Sequence, residues 1–165
     1  TATGATGAVL AVTPDALAAS TPVFNGSGLT NILFCKNGST THDMSLTTTT
    51  TIAHGLGRTP QLAKIHVNQT LGDSSSSLHM VSSIGSYDGS TQNCNYIAGS
   101  TNGATLLSGA DTSNCIHYGY GATTTADSDK LTGAVSVDAT NITITWTKTN
   151  NPTGTGNIHW EVIGH

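Results

Sequence analysis

Between Asn141 and Thr147 every second position is isoleucine or tryptophan (Ile142, Ile144, Trp146), and threonine fills the gaps (Thr143, Thr145, Thr147). A period of two puts the apolar side chains on one face of an extended chain and the hydroxyls on the other. That pattern belongs to a half-buried antiparallel strand. It returns at Ile158, Trp160 and Val162 against His159, Glu161 and Ile163, after the turn-forming "NPTGTG" at 151–156. "KLTGAVSVD" at 130–138 reads as the strand before this pair. An amphipathic helix needs an apolar period near 3.6, and none of these segments has one.

Upstream the same logic yields "LTNILFCK" (29–36), ending at the hairpin-type turn "NGS", then "SLTTTTTIA" (45–53), "QLAKIHVNQ" (61–69) and "LHMVSSIGSY" (78–87). In the third of these, Leu62, Lys64 and His66 share one face, while Ala63, Ile65 and Val67 share the other. "NYIAG" (95–99), "ATLLSG" (104–109) and "CIHYGY" (115–120) are shorter strand pieces. Many short strands separated by turn clusters predict an all-β, antiparallel β-sandwich or jelly-roll-like head over 28–165. Residues 1–27 differ: Ala, Thr and Gly predominate, and Thr13, Pro14, Asp15 and the alanines after them form an N-capped helix signal near 13–20. So short a helix is marginal alone, and small residues let neighbouring chains approach closely. The segment is expected to be a stalk packed against copies of itself about an axis.

Composition excludes several functions. Charged residues make up 8% of the chain, against an average of about 25%, and threonine fills thirty positions instead. The five basic residues are scattered, so the clustered charge of a nucleic-acid footprint is missing. No segment approaches the roughly 18 apolar residues of a membrane-spanning helix, and no charged-then-apolar leader opens the chain. It begins at Thr1 without methionine, which fits a fragment or a lost initiator. Cys35, Cys94 and Cys115 are odd in number and lack C-x-x-C spacing, which excludes a fully paired disulfide framework and a usual thiolate zinc site. Three buried, reduced thiols are expected.

Seven histidines stand against nine carboxylates, yet no pair has i, i+2 spacing and no H-E-x-x-H occurs. In "HGLGRTP" (54–60), His54 and Arg58 lack a partner carboxylate, nucleophile or metal spacing. His54 reads as a strand-end residue whose ring bonds the following turn, Gly55 and Gly57 supply backbone freedom, and Pro60 opens the next strand. Ser86 lies near Asp88, but G-x-S-x-G is absent. Asp73, Asp88, Asp111, Asp127, Asp129 and Asp138 fall in turns, where aspartate caps its own backbone instead of facing a second carboxylate. No enzyme and no cofactor are expected.

Binding suits the composition better. Neutral sugars are held by flat aromatic faces and short uncharged hydrogen-bonding groups. The stretches 86–96 and 111–129 read as loops that concentrate Tyr87, Tyr96, Tyr118 and Tyr120 with Asn93 and Asn95. These six are the candidate receptor-binding residues. Trp146 and Trp160 read as core or interface residues.

Three segments also carry a family resemblance. "GAVLAVTPDALAAS" (7–20) resembles stretches that precede terminal domains in the tail fibres of tailed bacteriophages. "TTTTTIAHGLGRTPQLAKIHV" (47–67) looks like a segment of phage fibre tips and head-associated fibres. "NITITWTKTNNPTGTGNIHWEVIGH" (141–165) is similar to their closing strand pair. The resemblance implies a homotrimer exposed on the virion surface, with β-sandwich heads on a slender stalk. The N-terminal segment would join other virion proteins, and the head would bind a host-surface glycan or protein. A capsid-attached head fibre or decoration protein is the alternative. The middle, 70–130, carries none of the resemblance.

Overall fold

A computed structural model describes residues 33–69, 81–100, 106–121 and 128–165. The expected stalk over 1–27, its helix near 13–20 and the start of the first strand lie outside the described residues. The described residues fall within one unit, Ile32–His165, and among them every regular element is a strand. The strands are β1 (Phe34–Asp43), β2 (Thr50–Ala53), β3 (Leu62–Gln69), β4 (Ser82–Tyr87), β5 (Gln92–Ser100), β6 (Leu106–Asp111), β7 (Ile116–Gly121), β8 (Asp129–Val137), β9 (Asn141–Thr149) and β10 (Thr155–Gly164).

Hydrogen bonding runs in the order β1-β10-β3-β4-β5-β7-β8-β9-β2, with β6 also on β5. All pairings are antiparallel except a short contact between β5 and β7, where Gly99 faces Tyr120 and Ser100 faces Gly121. The ladder therefore has two antiparallel runs: β1-β10-β3-β4-β5-β6 and β7-β8-β9-β2. Inward positions of both runs fill one core. Ala63, Ile65 and Val67 of β3 and Ile158, Trp160 and Val162 of β10 come from the first run. Ile116 and Tyr118 of β7, Leu131 and Val135 of β8, and Ile142, Ile144 and Trp146 of β9 come from the second. The period-two pattern in the sequence marks these positions. Each fully buried Ile or Val contributes about 1.5–3 kcal/mol.

Two close approaches require glycine, one between the runs and one within the first. A Cβ at Gly85 of β4 would overlap the carbonyl oxygen of Cys115, so only glycine lets β7 pass over β4 at that height. Gly38 of β1 lies opposite Trp160, and a Cβ there would stand 2.5 Å from the indole Cζ2. This corrects the reading of "NGS" as a turn. β1 continues through Asn37, Gly38 and Ser39, and the glycine makes room for a tryptophan across the ladder. "SLTTTTTIA" is also shorter as a strand than expected, because Asp43 takes the Ser45 N–H (2.9 Å) and hydroxyl (2.7 Å) into a tight turn.

β1 and β2, at the two ends of the strand order, are tied by side chains. Trp146 Nε1–H donates to Thr50 Oγ1 (2.9 Å), Thr50 Oγ1–H donates to His42 Nδ1 (3.0 Å), and His42 Nε2–H donates to the Leu46 carbonyl (3.1 Å). The His42 ring stacks on Trp146, with centroids 4.5 Å apart and planes at 15°. His54 does similar work one turn away. Its Nε2–H donates to the Asp138 carbonyl (3.0 Å) and its Nδ1 accepts from Leu56 N–H (3.1 Å). Gly55 and Gly57 adopt φ of 65° and 74°. "HGLG" is thus a turn pinned to the β8–β9 turn, and Arg58 lies 4.3 Å from the Phe34 ring centre in a cation–π contact.

The β4–β5 and β8–β9 turns repeat one device. Asp88 Oδ1 accepts from Thr91 N–H (2.7 Å), Ser90 N–H (3.0 Å) and the Ser90 hydroxyl (3.0 Å). Asp138 Oδ1 accepts from Thr140 N–H (2.7 Å), Asn141 N–H (2.7 Å) and the Thr140 hydroxyl (2.8 Å). These donors hold both carboxyls below the usual carboxylate range, the Thr91 N–H leading for Asp88 and the Thr140 N–H for Asp138.

Thr50→Val keeps the shape of the side chain but strands the Trp146 N–H and His42 Nδ1. It is expected to lower the unfolding free energy by about 1–3 kcal/mol in urea titration. The lowered folded-state pKa of Asp88 and Asp138 contributes stability that is fully present above the unfolded carboxylate value of about 3.9 and is lost as pH falls through the folded value. The urea midpoint is therefore expected to drop below about pH 4, and the drop is shallower in the Asp88→Asn, Asp138→Asn double variant, which keeps the acceptor oxygen without the charge.

Candidate functional site

The first run leaves its outer face open. Cross-strand register assembles it from residues far apart in sequence. Ser39, His159, His66, Ile84 and Asn95 form one row across β1, β10, β3, β4 and β5. Asn37, Glu161, Lys64, Ser86 and Asn93 form the next. Asn157, Asn68, Ser82 and Ile97 form a third. The face is rich in short neutral hydrogen-bonding groups, and Ile84 stands in its middle 61% exposed.

Two shallow grooves meet at Ile84. One, of about 340 Å³, runs over Lys64, His66, His159 and Glu161. The other, of about 510 Å³, runs over Ser82, Asn95, Ile97 and Ser108. The two charges on the face pair with each other, Lys64 Nζ lying 3.7 Å from Glu161 Oε2. Both are exposed, so the pair adds little stability. Its effect is to leave the surface close to neutral. The His66 and His159 rings lie 6.1 Å apart, tilted by 36°, and His66 Nε2 is hydrogen-bonded to Ser82 Oγ (3.2 Å).

The six expected binding residues do not gather in one place. Asn93 and Asn95 are exposed on the outer face, where Asn93 Oδ1 accepts from the Ser86 hydroxyl (3.4 Å). Tyr87, Tyr96 and Tyr118 do not join them. Tyr87 is partly buried against the core, and its hydroxyl donates to the Gly89 carbonyl (2.9 Å) within its own hairpin. Tyr96 points to the other side of β5 and stacks on His117, with centroids 3.7 Å apart and planes at 7°. Tyr118 is fully buried, its hydroxyl donating to the Thr153 carbonyl (2.8 Å). Tyr120 sits on β7, its backbone paired with Gly99 and Asp129.

The expected loops change accordingly. Residues 86–96 are mostly strand around a short turn at 88–91, and 111–121 is a turn followed by β7. Strand alternation turns Tyr87, Tyr96 and Tyr118 away from the outer face. Sequence reasoning missed Ile84, His66 and His159. The alternation of His66 and His159 with apolar neighbours gave their face, but only the β3–β10 register could pair them.

Around His117 lies a second polar cluster, which is structural. The His117 N–H donates to Ser83 Oγ (3.0 Å), and its Nδ1 lies 3.6 Å from Asp111 Oδ2. Asp111 also accepts from Ser113 N–H (2.8 Å) and Asn114 N–H (3.0 Å). Burial raises its carboxyl, but the Asn114 side chain and these N–H groups outweigh that and leave it below the usual range.

Two of the three thiols are buried. Burial pushes Cys115 up to about 12 and raises Cys94. Cys35 departs from the expected burial, because the outward side of edge strand β1 leaves it exposed. Its thiol donates to Glu161 Oε1 (3.2 Å), and that bond raises its pKa. Among the described residues, no group of three or more His, Cys, Asp or Glu is arranged to hold a metal ion, and no helix is long and apolar enough to cross a membrane. Compared with protein-family models, curated proteins and solved structures, the chain matches none.

Proposed function

We propose that this chain is a virion surface protein of a tailed bacteriophage. In this reading it is the distal domain of a trimeric tail fibre, which attaches the particle to a neutral glycan on the host surface. The observation that carries the reading is the outer face of β10, β3, β4 and β5. It is nearly uncharged, and it surrounds the exposed Ile84 with Asn93, Asn95, Ser82 and Ser86. A sugar presents an apolar C–H face ringed by hydroxyls. Ile84 offers a surface for the first, and the amides and hydroxyls offer donors and acceptors for the second. The tyrosines Tyr87, Tyr96 and Tyr118 are occupied elsewhere, so the flat rings on this face are the imidazoles of His66 and His159.

The resemblance of 7–20, 47–67 and 141–165 to phage fibres supports the virion setting, the sandwich arrangement of the two runs and the trimer. The N-terminal segment then serves as the stalk that joins the rest of the particle. Binding is favoured over catalysis because Asp88, Asp111 and Asp138 spend their carboxylates on their own turns.

Light scattering at micromolar concentration is expected to give three times the 16.7 kDa chain mass, and a monomer would contradict the trimer. Labelled protein is expected to decorate host cells, with binding cut at least about tenfold by Ile84→Asp or Asn95→Arg, since each places an uncompensated charge in the contact. Wild-type protein that leaves cells bare, while particle images place its copies on the capsid, would replace the adhesin with the decoration alternative.

A further inference from the structure

We propose that His66 and His159 form a two-histidine site for a divalent first-row transition ion of the Zn²⁺ class, set across the β3–β10 ladder on the outer face. The two residues are direct register partners on adjacent antiparallel strands. Both belong to strands whose opposite faces are locked in the core by Ile65, Val67, Ile158 and Trp160. The ligands are therefore held on rigid elements instead of loops, as a site built from few ligands requires.

The spacing fits. With metal–nitrogen bonds of about 2.1 Å and roughly 1.1 Å from nitrogen to ring centre, two imidazoles on a tetrahedral ion have centroids about 5 Å apart. The observed separation is 6.1 Å, and rotating the rings by roughly 20° within their side-chain wells closes the difference. Ser82 supplies an outer partner. When His66 Nε2–H donates to Ser82 Oγ (3.2 Å), the tautomer is set and Nδ1 keeps its lone pair for a metal.

The surrounding charge does not oppose a cation. Lys64, the nearest positive group on the face, is paired with Glu161 at 3.7 Å. The buried rings do not compete: His42 and His54 have both ring nitrogens in hydrogen bonds, and His117 is stacked against Tyr96. With two protein ligands, water completes the coordination shell. The ion is exchangeable, and the site is distinct from a structural zinc centre, which closes all four positions. Imidazole nitrogen suits Zn²⁺, Ni²⁺ and Cu²⁺ and is a poor match for Mg²⁺ or Ca²⁺, which take oxygen.

Titration of the full chain with zinc chloride by calorimetry tests the site, alongside His66→Ala and His159→Ala. Both substitutions fall on the outer face, outside the core, and circular dichroism checks that the fold is kept. Wild type is expected to bind an ion that shifts the ring proton resonances of His66 and His159 together. Either variant is expected to weaken that binding at least about tenfold, since even outer partners of a metal ligand are worth that much, and magnesium chloride is expected to give no heat. Zinc affinity unchanged in both variants, or no zinc binding by the wild type, would overturn the proposal.

Discussion

The passage of β7 over Gly85 is the constraint on which the rest of the fold depends. At β5 the ladder branches: β6 extends the first run, while β7 begins the second and crosses β4 so closely that a side chain at Gly85 would meet the Cys115 carbonyl. This crossing brings Ile116 and Tyr118 into the same core as Ile65 and Ile158. It also buries His117 against Tyr96 and Ser83. At the two ends of the strand order, the chain of bonds through Trp146, Thr50 and His42 holds β2 near β1. Packing in the middle of the order and directional bonds between its ends keep the ten described strands folded on a single core, with the outer face around Ile84 exposed.

A scarcity of charge shapes that face. Serine and asparagine take most of the outward positions around Ile84, and Lys64 and Glu161, the ionised side chains in those rows, pair with each other. Such a surface has no long-range field with which to steer a charged ligand. It suits contacts made one hydrogen bond at a time around an apolar centre, as neutral sugars make. Asp88 and Asp138 have their carboxylates bound into hairpin turns by backbone N–H groups.

Much of the strand content was legible in sequence because burial on one face imposes period two. β3, β8, β9 and β10 follow it closely, and the inward residues are those that alternation marks. The pinned turn at His54 was legible for a similar reason: glycine on both sides of Leu56 leaves few backbone conformations. Long-range facts escaped. Gly38 in "NGS" looks like a turn residue, and only the indole of Trp160, 122 positions away, explains it as part of a strand. Tyr87 and Tyr96 lie close in sequence to Asn93 and Asn95, but the two-sidedness of strands turns them to the opposite face. The pairing of His66 with His159 depends on a register between strands about ninety residues apart, which no local pattern encodes.

Hydrogen–deuterium exchange of the chain, free and bound to host-cell envelopes, tests the functional account most directly. Binding through the outer face is expected to slow exchange in β3, β4, β5 and β10, with β8 and β9 unchanged. Protection confined to β8 and β9, or none in the outer run while the protein is bound, would contradict it.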